Sequence, residues 1–143
     1  MSEAPTNTPA SIPSSGVVRI VTDSSCDLPP EVAAALGIII VPLSIRFGDE
    51  EFIDREQLTV AEFWTRVVGS DTLPETAAPA PGQFETVYRE LAAEGAAGIV
   101  VVSLSGALSA TMQSAELAAR SIASDRSLNL DVRIVDSRTV TMG

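Results

Sequence analysis

Three short apolar runs constrain this chain more than any other feature. They are VVRIV at 17–21, GIVVV at 98–102 and DVRIV at 131–135. Each passes directly into a polar cluster: TDSS at 22–25, SLSGALS at 103–109 and DSRT at 136–139. Apolar runs of this length, bounded by turn residues and alternating with helical patterns, are expected as strands of an α/β domain with a largely parallel sheet. Such sheets take their ligands outside the carboxyl ends of the strands. The hydroxyl-rich clusters therefore fall on the edge where a ligand is expected. A helix needs one or two hydroxyls as caps, and the stretch 103–114 carries five: Ser103, Ser105, Ser109, Thr111 and Ser114.

The segments between these runs fill out the pattern. Asp27 as cap, prolines in the first turn and Gly37 past the end punctuate a helix over EVAAALG. IIIVPLSIRFGDEEFID at 38–54 reads as extended, with a turn at Gly48-Asp49 and with Pro42 at an edge or bulge. Thr59 and Glu62 match a capping box that opens a helix to about Val68. The proline-rich 73–83 reads as a loop. Phe84, Val87, Tyr88 and Leu91 then recur at helical spacing. A last helix is expected from about Leu108 to Ala123, burying Leu108, Met112, Ala115, Ala119 and Ile122. Trp64 and Cys26 are expected in the core.

A chain of 143 residues is one domain's worth, and a domain of that size buries roughly 68–70% of its unfolded surface without metal or disulfide. Residues 1–16, rich in Pro, Ser, Thr and Ala, read as a disordered tail. The formal net charge of −10 argues against nucleic-acid partners and against anionic membrane surfaces. Cys26 is the one cysteine, so no internal disulfide forms. The N-terminus lacks the pattern of a secretion signal, and no apolar run nears the ~18 residues of a membrane span. These features predict a cytoplasmic protein with no stable membrane insertion.

The chemistry narrows by elimination. There is no histidine, and every basic residue is arginine, so a serine nucleophile lacks its usual bases. Asp23 follows a strand as a phosphatase nucleophile would, yet the Asp-x-Asp pattern is broken by Ser25; a strand end beside a helix is the preferred reading. Neither glycine-rich phosphate fingerprint is present, and no His/Cys cluster suits a metal. What remains is either a site of neutral donors for an anion or polar head group, placed where Ser105 to Ser109 precede a helix, or ordinary capping of that helix by one serine, and spacing alone does not separate the two.

Five segments, VRIVTDSSCDLPPE, VPLSIRFGDEEFID, LPETAAPAPGQF, SLSGALSATMQSA and VDSRTVTMG, resemble the DegV family of fatty-acid-binding proteins in order and spacing across residues 17–143. The resemblance implies a three-layer α/β sandwich and a carrier, without cofactor or metal, that holds one long-chain fatty acid in an apolar tunnel. It also implies a fatty acid kinase subunit as partner, which phosphorylates the presented carboxylate. The family grips that carboxylate with a loop threonine, matched by Thr76, and a turn serine, matched by Ser109. Asp23, Ser24, Ser105 and Arg138 are further candidates from their strand-end positions. Ala77 and Ala110 stand where the family has Ser and Gly. The family's second domain, which closes the tunnel, would follow Gly143, so 17–143 is expected to be the N-terminal domain alone, a fragment or truncated form. Two other functions fit the residues: a small magnesium-dependent phosphohydrolase using Asp23, and a non-binding α/β domain that associates with its missing half.

Overall fold

The computed structural model describes residues 16–141, so the expected tail lies, but for Gly16, outside the described residues. Gly16 is hydrogen-bonded, its N–H donating to the Gly95 carbonyl at 2.8 Å. The elements run β1 (Val18–Asp23), a 3-10 turn (Ser24–Cys26), α1 (Pro30–Leu36), β2 (Ile39–Val41), β3 (Ser44–Phe47) and β4 (Glu50–Ile53). Then come α2 (Val60–Gly69), β5 (Glu75–Ala77), α3 (Pro81–Ala93), β6 (Gly98–Ser103), α4 (Thr111–Ser124) and β7 (Asp131–Asp136).

The three apolar runs are the strands β1, β6 and β7 of a parallel sheet ordered β2-β1-β6-β7. Val21 pairs with Ile39 on one side and Val101 on the other, and Val101 pairs with Ile134. The step from β1 to β2 and the step from β6 to β7 run in opposite directions across the sheet. Right-handed crossovers therefore put α1 and α4 on opposite faces, which makes the three layers. Alternation along the strands sends Val21, Ile99 and Val101 to one face, against Phe84, Tyr88 and Leu91 of α3 and Ala115, Ala118 and Ile122 of α4. The small α4 residues let the two α3 aromatics lie fully buried between helix and sheet. Tyr88 donates its hydroxyl to the Ala115 carbonyl at 3.1 Å, and burial pushes its pKa well up, so it remains a donor.

The α/β class stands, with several local corrections. The stretch 38–54 is not one strand. Pro42 interrupts it, leaving β2 at the edge of the parallel sheet and sending the rest into an antiparallel sheet ordered β4-β3-β5. The expected loop 73–83 contributes β5 to that sheet, pairing Thr76 with Ile45. Asp27 does not cap α1. Leu28 and Pro29 each precede a proline and stay extended, so Pro29 takes the N-cap position while Asp27 closes the 3-10 turn with φ 58°. The last helix starts at Thr111, because bonds from the Leu108 and Ser109 N–H groups to the Ser105 carbonyl make a separate turn. Leu108 is accordingly 68% exposed. Trp64 is 59% exposed, for α2 packs through Phe63 and Val67 on Ile45, Phe47 and Leu58. The Thr59 cap, whose hydroxyl accepts from the Glu62 N–H at 3.1 Å, the left-handed Gly37 and the buried Cys26 are as expected.

Two outcomes follow in equilibrium unfolding. Phe84→Ala should lose roughly 3–5 kcal/mol for a buried aromatic, and Tyr88→Phe about 0.5–1.5 kcal/mol for one hydrogen bond. The second concerns Asp125, which accepts from Ser127 and Arg89 and is thereby lowered from 3.8 to about 2. A carboxyl depressed in the folded state stabilises above its unfolded pKa and loses that contribution as pH falls through the folded value. Unfolding midpoints of wild type and Asp125→Asn should thus differ at neutral pH and converge between pH 3.8 and about 2.

Candidate functional site

The polar clusters meet at the carboxyl edge of the parallel sheet, and most of their side chains hold the backbone together. Asp23 is 2% exposed. Its Oδ1 accepts from the Ser25 N–H at 2.9 Å and from the Ser25 hydroxyl, and its Oδ2 accepts from the Leu104 N–H at 3.1 Å. A carboxylate is tolerated in such a position only when donors replace its water, and three do. The Ser24 hydroxyl, equally buried, accepts from the Leu43 N–H at 2.9 Å and so ties the first strand to the entry of β3. Ser105 accepts from the Ala107 N–H at 3.3 Å. These three are engaged in hydrogen bonds inside the fold. Arg138 is exposed, with φ 57°, and its N–H donates to Asp136 at 2.8 Å.

Thr76 differs. It lies on the exposed strand β5, and among the described residues its hydroxyl has no partner. It borders a cleft of about 240 Å³ between the 3-10 turn, β3 and the start of α2. Ser24, Ser25 and Thr76 bring hydroxyls to this cleft, while Leu43, Ile45, Phe63 and Trp64 make an apolar wall. Val60 and Arg55 also line it and continue into a second cleft under Leu28 and Pro29.

Ser109 lines another cleft, of about 400 Å³, formed by the turn before α4 together with Met112 and Glu116. The Ser109 oxygen accepts from the Thr111 N–H at 3.2 Å and lies 2.9 Å from the Thr111 hydroxyl. When Thr111 donates to it, the Ser109 proton is free to point outward. Thr76, on the antiparallel sheet, and Ser109, in the turn before α4, thus each retain donor capacity, but they border separate clefts. No group of three or more His, Cys, Asp or Glu side chains among the described residues is arranged to hold a metal ion.

Sequence reasoning missed Arg55, Phe63 and the exposed Trp64 as parts of a cleft wall. The signal was present in FIDREQLTVAEFW, where Phe63 and Trp64 are adjacent and must face different sides of a helix. That both border one cleft depends on the second sheet, which the sequence did not reveal.

Comparison with known proteins now places the chain. The model of the DegV family, described as uncharacterised, matches residues 17–143. A DegV domain-containing protein of Clostridium perfringens is 36% identical over 126 residues, 88% of this chain and 43% of its own length. Among solved structures, a DegV family protein from Thermus thermophilus, described by its fatty acid binding, superposes with a TM-score of 0.75 at 35% identity, covering 88% of this chain and 42% of that one. The fatty acid kinase (Fak) B3 protein of Streptococcus pneumoniae, loaded with linoleic acid, gives 0.72 at 26% identity, covering 87% and 43%. The chain therefore spans less than half the length of these relatives. On the family match and on the shared fold, this chain belongs to the DegV family.

Proposed function

We propose that this chain binds a long-chain fatty acid, holding its carboxylate by neutral hydroxyl donors and its acyl chain against an apolar wall. In this reading it presents the head group to a fatty acid kinase and performs no chemistry itself. The observation that carries the reading is the cleft where the free Thr76 hydroxyl meets Ile45, Phe63 and Trp64. An amphiphile needs those two surfaces side by side. The fatty-acid ligands described for the Thermus and Streptococcus relatives support the substrate class, and the kinase in the latter's description supports the partner. No helix among the described residues is long and apolar enough to cross a membrane. We place the carrier in the cytoplasm, where a kinase finds its ATP.

Ser109 is assigned as a second hydroxyl for the head group, because the turn that holds it is pinned to the carboxyl edge of the parallel sheet, from which the 3-10 turn lining the Thr76 cleft also leaves. Asp23 fixes Leu104 at the start of that turn, and the Ser105 N–H donates to the Thr139 carbonyl at 2.8 Å. Each buried methylene contributes about 0.8 kcal/mol, so affinity follows the length of chain that the wall covers. Neutral donors add less, about 0.5–1.5 kcal/mol each.

Native mass spectrometry of the purified chain with palmitate tests the reading. A one-to-one complex is expected, and Thr76→Ala or Ser109→Ala should each raise Kd about twofold to tenfold, the equivalent of one lost hydroxyl. Thr76→Ser should recover most of the loss. With ATP and a fatty acid kinase, acyl phosphate should form only when this chain is present. No complex at saturating palmitate, or binding untouched by both alanine variants, overturns the assignment.

A further inference from the structure

We infer that Arg55 supplies the charged contact for the anionic head group in this cleft, an inference that rests on the lipid-binding reading above. Of the nine arginines, five are ion-paired: Arg19 with Glu94, Arg46 with Glu75, Arg66 with Glu50, Arg89 with Glu85 and Asp125, and Arg133 with Asp131. Among the other four, Arg120, Arg126 and Arg138 are exposed, where water solvates the charge. Arg55 is half-buried, and no carboxylate among the described residues pairs with it. A guanidinium withdrawn from water without a counter-ion is unfavourable unless something else brings the negative charge.

The position is imposed by the fold. Arg55 has φ 66°, a left-handed conformation that a residue with a side chain adopts only when its surroundings require it. Its N–H donates to the Leu58 carbonyl at 3.1 Å, and the preceding N–H of Asp54 donates to the Leu43 carbonyl at 2.9 Å. The side chain then crosses to the 27–30 segment, where Nη1 donates to the Leu28 carbonyl at 2.6 Å. A guanidinium has five N–H donors in a planar fork, so this neutral contact anchors one arm and leaves the charge uncompensated.

Arg55 borders the cleft that also holds Ser25 and Thr76, and together with Leu28 it lines the adjoining one. Asp27 and Asp54 border it too, yet neither is ion-paired with the guanidinium. Guanidinium and carboxylate match as two parallel hydrogen bonds, a contact stronger than hydroxyls alone provide. The head group would then be selected for charge by Arg55 and oriented by the hydroxyls.

Trp64, the one tryptophan, lines the same cleft and reports on it by its emission. Dodecanoate and its neutral counterpart dodecanol, each below its aggregation limit, are titrated into the full chain, with native mass spectrometry to confirm a bound molecule. Wild type should prefer the anion. Arg55→Gln should weaken dodecanoate about tenfold, as expected for a lost charged contact, and leave dodecanol unchanged. Arg55→Lys, which keeps the charge without the fork, should recover part of the preference. Equal loss for both ligands in Arg55→Gln would mean that the residue only supports the Leu28 segment, and an unchanged ratio would mean that it does not meet the head group. Either result overturns the inference while lipid binding stands. If neither amphiphile binds wild type, the lipid-binding reading falls and this one with it.

Discussion

Asp23 is shut inside the protein with no ion-pair partner among the described residues, and the carboxyl edge of the sheet is organised around satisfying it. Its three donors come from two places: Ser25 in the turn that follows β1, and Leu104 at the exit of β6. Adjacent parallel strands have carboxyl ends that would otherwise fan into separate loops. One acceptor shared between two of them fixes both exits in a single arrangement. An unsatisfied buried polar group costs roughly 1–3 kcal/mol, more when charged, so the alternatives in which either loop moves away are penalised. The order of the whole edge, Ser109's turn included, depends on this contact.

Ser24 extends the same constraint to the second sheet. The chain leaves the parallel sheet at Pro42, which cannot donate to a ladder, and the next N–H, that of Leu43, goes to the Ser24 hydroxyl. The Leu43 carbonyl accepts from Asp54. One residue thus joins the 3-10 turn, the start of β3 and the end of β4. The antiparallel sheet stands apart from the parallel one, with α2 packed on its Phe47 and Ile45, and the cleft with Thr76 at its rim lies between the 3-10 turn, β3 and the start of α2. The cleft exists because a proline separates two strands that sequence alone reads as one.

That point marks the limit of what was legible. The parallel sheet was read correctly because Val21, Ile99, Val101 and Ile134 sit in apolar runs whose flanking turn residues left no other assignment. The helix α3 was read correctly because Phe84, Tyr88 and Leu91 recur on one face. Both signals are local. The pairing of Thr76 with Ile45 joins residues far apart in sequence through a three-residue strand whose members are all exposed, so no hydrophobic pattern announces it. Trp64 was misplaced for a related reason: periodicity shows that a helix has an apolar side but not which apolar side is covered. The family resemblance singled out Thr76 and Ser109 without reference to packing, whereas Arg55 emerges only when the ion pairs of the other arginines are known.

The division of labour among the hydroxyls follows from the strength of their bonds. Buried ones, in Ser24, Ser103 and Ser105, hold backbone groups and stay fixed, since breaking them strands a polar atom away from water. Those of Thr76 and Ser109 lie nearer solvent, where exchange between ligand and water changes the free energy little. A carrier must release what it holds, and a grip made of several weak neutral donors satisfies that better than one deep ion pair. In the proposed complex the Arg55 guanidinium, with one arm already committed to the Leu28 carbonyl, would add discrimination between a charged head and a neutral one while leaving the acyl chain to set the affinity. Selectivity and retention would then be separable, because they reside on different residues lining the same cleft.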